Sequence, residues 1–122
     1  MFSPAVLDRF HNPRNTGEMS DATHYGVAGV PGDGPYTQIW LKIEAQQISH
    51  ATFETYPCPA AVACACMATE LAKGRSVDKA QLIEPSDIIA VLGGVPEGKG
   101  HCADRSVKAL RAALSQTITG GN

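Results

Sequence analysis

The chain has 122 residues, 43% of them apolar and 18% charged, with a formal net charge of −2. That is enough chain to bury a hydrophobic core without disulfides or metal to hold it, and the composition is ordinary for a soluble globular protein, here read as a single domain over 1–122. No basic run marks a nucleic-acid surface, no apolar stretch is long enough to span a bilayer, and the N-terminus lacks a secretory pattern. Neither nucleic acid nor membrane is therefore expected as a partner, and the expected location is cytoplasmic. In that reducing compartment the four cysteines read as metal ligands or reactive thiols rather than disulfides.

Pro4 to Phe10 reads as a short helix, with Ser3 as its cap and Val6, Leu7 and Phe10 as an apolar stripe. Asn12-Pro13-Arg14-Asn15 ends it, and His24 to Val30 is a weakly patterned first strand. Gly29-Val30-Pro31-Gly32-Asp33-Gly34-Pro35 follows, with three glycines and two prolines in seven residues, which predicts a turn of unusual backbone angles. Taken alone, Asp33 is a turn aspartate bonding its own backbone.

Gln38 to Glu44 alternates, with Ile39, Leu41 and Ile43 on one face. Trp40 joins the polar face, which implies that this face is partly covered. Ile48 to Tyr56 alternates again, so the two segments form a hairpin and, with the segment before them, three strands. His50 is an exposed or core-edge strand residue. Pro59 to Lys73 is an alanine-rich helix stopped by Gly74. Cys64 and Cys66 lie within it, two residues apart and on nearly opposite sides, and read as small core residues. Ser76 to Ile83 and Pro85 to Leu92 are short helical segments. The glycine-rich stretch from Gly93 to Gly100 leads into a last helix with Ala103, Val107, Leu110 and Leu114 as its buried stripe. Thr117 to Asn122 is expected to fray.

The chemistry sits at two helix starts. Pro59 suits a first helical position, which puts Cys58 on the cap, facing unpaired N–H groups and the positive end of the helix dipole. A thiolate is favoured there, and the thiolate is the form that binds metal and attacks sulfur. Cys102 repeats the situation, with His101 beside it as a third ligand or proton carrier. The spacing matches neither a zinc finger nor a CxxC redox motif.

Over nearly its whole length the chain resembles the U-type iron–sulfur cluster scaffold family, the NifU N-terminal domain and IscU-like proteins. The likeness runs through Asn12-Pro13-Arg14-Asn15 with Gly17, Gly29-Val30-Pro31, Phe53-Glu54-Thr55-Tyr56-Pro57-Cys58, Lys73-Gly74-Arg75-Ser76 and His101-Cys102. The resemblance implies an α+β fold, a three-stranded antiparallel sheet with helices packed on one face. It implies a scaffold or carrier, not an enzyme, that accepts persulfide sulfur from a cysteine desulfurase on Cys58 or Cys102. It further implies iron and a labile [2Fe–2S] cluster held by Cys58, Cys102, His101 and Asp33, passed on to acceptor proteins by a monomer or weak homo-oligomer.

The chain departs from the family at two places. Where the family carries Gly-x-Pro-x-Cys-Gly-Asp, this sequence aligns Asp33 with the cysteine and Pro35 with the aspartate. An oxygen donor can coordinate iron or zinc but cannot carry a persulfide. Val95-Pro96-Glu97-Gly98-Lys99 replaces the Leu-Pro-Pro-Val-Lys run that IscU-type members present to their chaperone, so chaperone binding is not carried over. Two thiols, an imidazole and a carboxylate also suit tetrahedral zinc. The alternatives are thus a zinc-binding protein at the same four residues, or a partner-binding homologue that no longer builds clusters.

Overall fold

The computed structural model describes residues 2–118. Its elements, in order, are α1 (Pro4–His11), β1 (His24–Gly29), β2 (Tyr36–Glu44), β3 (Gln47–Thr55), α2 (Pro59–Ala72), α3 (Val77–Ala80), α4 (Pro85–Val91) and α5 (His101–Ser115). The strands form one antiparallel sheet in the order β1-β2-β3, with helices on one face, as expected.

That face carries Ala28, Ile39, Leu41, Ala51 and Phe53, all buried. The alternation expected through Ile43 stops at Leu41, because a bulge between Lys42 and Ile43 shifts the register and leaves Ile43 half-buried. Beyond it, Ala45 and Gln46 turn the chain with φ of 52° and 65°. Two positive φ values in a two-residue hairpin loop fit the twist of the flanking strands, although neither residue is a glycine.

α2 is the central helix, buried over most of its circumference from Ala60 to Ala72. Its alanines let it lie close to the sheet, α1 and α5 at once. α5 buries the expected stripe of Ala103, Val107, Leu110 and Leu114. It also lies so close to β1 that a Cβ on Gly26 would collide with the backbone of Ala109, Ala112 and Ala113. α3 is shorter than expected, ending at Ala80, although Ser76 caps it by accepting from the Lys79 N–H at 3.2 Å.

Both outer edges of the sheet are bonded. Along β3, Phe53 donates to Asn15 O and accepts from Gly17 N–H, while Ile48 exchanges bonds with Gly74 and Arg75. Along β1, Tyr25 N–H donates to Gln116 O at 3.2 Å and Ile118 N–H to Thr23 O at 2.9 Å. Thr117 and Ile118 are therefore paired with the sheet instead of frayed; 119–122 lie outside the described residues. Trp40, on the face away from the helices, is only 7% exposed, so that face is indeed covered there.

Candidate functional site

Three connections meet at one end of the sheet. The loop 30–35 joins the end of β1 to the start of β2, and Gly29 pairs with Tyr36. β3 ends beside that start: Thr37 pairs with Thr55, whose hydroxyl donates to Tyr36 O at 2.7 Å, and Tyr56 N–H donates to the same oxygen at 3.1 Å. Cys58 follows at once. α5 runs antiparallel to β1, since Gln116, just past its C-terminus, bonds Tyr25 near the strand's start. From Gly26, where Ala109 crosses, Gly29 lies about 10 Å along the strand, and Cys102 lies about 10 Å back along the helix. The topology thus brings the Asp33 loop, Cys58 and the His101-Cys102 pair to the same end.

Each donor is held differently. Asp33 is exposed at the tip of a turn closed by its own N–H to Val30 O at 3.0 Å. Gly32 and Gly34 flank it at φ of 86° and 88°, a conformation that favours glycine and gives the loop its sharp tip. Cys58 is the N-cap of α2 in extended conformation, with Pro59 at the first helical position, as the sequence reading expects; its side chain makes no cap bond. Its thiol is half-exposed.

Cys102 is not a cap. Gly100 takes that position, His101 is the exposed first residue of α5, and Cys102 is the buried second residue. Burial holds the Cys102 thiol above its ordinary range; the cation of Arg105, one turn further on, pulls the other way, and nearby Cys58 adds to the rise. Burial thus works against the thiolate that a helix start is expected to favour at Cys102.

Cys64 and Cys66 are both fully buried and point apart, as expected. The Cys66 thiol donates to Glu70 Oε2 at 3.2 Å, on the side of α1, where Arg9 makes a two-pronged pair with the same carboxylate at 2.9 and 3.1 Å. Cys64 points the other way. Burial pushes its thiol up to about 12, with Cys102 and Cys58 adding to the rise. A third thiol is thus within electrostatic reach of the two candidate cysteines. Its helical offset from Cys66 shows that the two diverge, but not which of them faces α5. Arg105 was missed, although its spacing of three from Cys102 puts both on one helix face.

Among the described residues, no three His, Cys, Asp or Glu side chains stand close enough to hold a metal ion as they lie. Donors of the right chemistry share one end of the molecule without forming a ready-made ligand set.

A family model, the NifU-like N terminal domain, matches residues 1–118. The chain belongs to the NifU N-terminal domain family. It is 40% identical over 114 residues to the iron–sulfur cluster assembly scaffold protein IscU 1 of Archaeoglobus fulgidus, covering 93% of this chain and 74% of that protein. It is 34% identical to IscU of Escherichia coli K12 over 118 residues, covering 93% of this chain and 91% of that one. Two solved structures share the fold. One is a putative iron–sulfur cluster assembly scaffold protein of the SUF system from Fervidobacterium islandicum, with a TM-score of 0.72 at 15% identity over 93% of this chain and 96% of that one. The other is the N-terminal part of a nitrogen-fixing NifU-like protein from Brucella abortus, with a TM-score of 0.67 at 13% identity over 91% and 90%.

Proposed function

We propose that this chain is an iron–sulfur cluster assembly scaffold that receives sulfur and iron, holds a labile [2Fe–2S] cluster and releases it to acceptor proteins. The observation that carries the reading is family membership over residues 1–118, together with Cys58 and Cys102 at the starts of two packed helices beside the Asp33 loop. The four cysteines are free thiols, which suits a cytoplasmic role.

The cluster is cargo, and its donors would be Cys58, Cys102, His101 and Asp33, drawn together from one end of the fold. Sulfur would enter at Cys58, the exposed thiol of the pair. Its thiolate attacks the outer sulfur of a desulfurase persulfide, a new S–S bond forms on Cys58, and the desulfurase cysteine leaves as thiolate. Cys102 is enclosed and loses its proton on binding iron. Asp33 supplies an oxygen where the family supplies sulfur, so the cluster is held less tightly.

Anaerobic reconstitution with iron and sulfide tests this. A sulfur-to-iron charge-transfer band is expected in the parent and absent in Cys58→Ser and Cys102→Ser. Asp33 also favours a second reading, in which the same four residues hold zinc or the chain only binds partners. A colourless protein binding one equivalent of zinc tightly would decide for that reading.

A further inference from the structure

The face of the sheet turned away from the helices carries a cleft of about 620 Å³, within the range of small-ligand sites. Its floor is built by cross-strand register: Tyr25 pairs with Trp40, and Gln38 pairs with Glu54. The rings of Tyr25 and Trp40 lie 5.4 Å apart, tilted by 48°. The Tyr25 hydroxyl donates to Gln38 Oε1 at 2.6 Å, and Gln38 Nε2 donates to Glu54 Oε1 at 3.4 Å, so the amide is held by both neighbours. The segment from Glu18 to Ala22 forms one wall and Gln116 to Ile118 the other.

The charge of this cleft is one-sided. Glu18 and Glu54 line it, and no lysine, arginine or histidine does. Among the described residues neither carboxylate has a cationic partner. Both carboxylates act on the same point: the Tyr25 phenol is raised above its ordinary range by burial first, then by the charges of Glu18 and Glu54. A tilted aromatic pair with two unpaired carboxylates asks for a flat cation, which can lie against a ring and donate to a carboxylate at once. An ammonium meets the charge but not the flat, forked geometry.

We propose that this cleft binds an arginine side chain presented by an extended segment of a partner protein, with the guanidinium between the half-buried Tyr25 ring and Glu54 or Glu18, above the buried Trp40. The cleft is open and larger in volume than one arginine side chain, and Met19 and Ile118 offer apolar contacts for the flanking residues. This surface is distinct from the cysteine end and does not rest on cluster binding.

Trp40 is the sole tryptophan, so its emission reports on the cleft directly. The probe is a short capped peptide with one arginine between glycines and leucines, set against the same peptide with neutral citrulline. The arginine peptide is expected to give a saturable change, weakened about tenfold by citrulline or by Glu54→Gln, and further by Glu18→Gln with Glu54→Gln. Far-ultraviolet circular dichroism confirms that the variants fold, and added salt weakens binding. No saturable response, or equal affinity for the citrulline peptide, overturns the proposal. So does equal affinity for free arginine or spermidine, which would make the cleft a site for small free cations. Cluster loading of the same variants is read separately and bears only on the scaffold reading.

Discussion

On the proposed scaffold reading, Asp33 is the residue on which the strength of cluster holding would turn. Its loop has a sharp, glycine-flanked tip that presents an oxygen donor. Asp33→Cys is therefore expected to lengthen the life of a reconstituted cluster severalfold, read as slower bleaching in the presence of a chelator; an unchanged lifetime would sink the assigned role. A second prediction concerns the inner thiols of α2. Burial raises Cys64 to about 12 and Cys66 to about 11 from an ordinary 9. The folded state thus keeps protons that the unfolded chain gives up, and stability present below pH 9 is lost as pH rises toward 12. Denaturant midpoints should fall across that window, and Cys64→Ala with Cys66→Ala should flatten the fall. Sequence placed Cys58 on its cap because Pro59 fixes the register of the helix start. It misplaced Cys102 by two positions, because no proline marks the start of α5 and Gly100 caps it through its backbone alone.

At the scale of elements, the approach of α5 to β1 depends on the missing side chain of Gly26. Any Cβ there meets helix backbone, which has no rotamer to yield, so strand and helix must separate. Gly26→Ala is expected to cost about 2 kcal/mol or more in chemical unfolding, and to shorten cluster lifetime because α5 carries His101 and Cys102. A null effect on both would mean that the contact relaxes freely. The hairpin turn holds the opposite opportunity: replacing Ala45-Gln46 with Asn-Gly relieves two left-handed residues and should add about 1 kcal/mol, seen as a higher melting temperature. Strand and helix positions were legible from periodicity, and the covered Trp40 from its place on the polar face. The bulge at Lys42 and the pairing of Gln116 to Ile118 with β1 were not, since both are settled by the partner strand and leave no local pattern.

For the molecule as a whole, the rigid part and the working part are separate. α2 and the inner sheet face are enclosed on every side, whereas the loops 30–35 and 93–100 carry few internal bonds. Hydrogen exchange of the metal-free chain is expected to be slowest in α2 and β2 and fastest in these two loops. Loading a cluster should slow exchange in both loops together, because Asp33 lies in the first and the second leads directly into His101 and Cys102. Slowing in only one would show that the other lies outside the site. The arrangement of fold around site was readable through the family likeness together with the helix-start reading of Cys58 and Cys102; composition and spacing alone matched no known ligand pattern.

The bonded flanks of the sheet carry a further consequence. With β3 edged by Asn15, Gly17, Gly74 and Arg75, and β1 by Gln116 and Ile118, each rim is occupied over part of its length, which leaves less free main chain for an extra strand from another chain. A partner of the proposed scaffold would then bind chiefly through side chains and loop tips, and would let go without unzipping a long ladder of main-chain bonds.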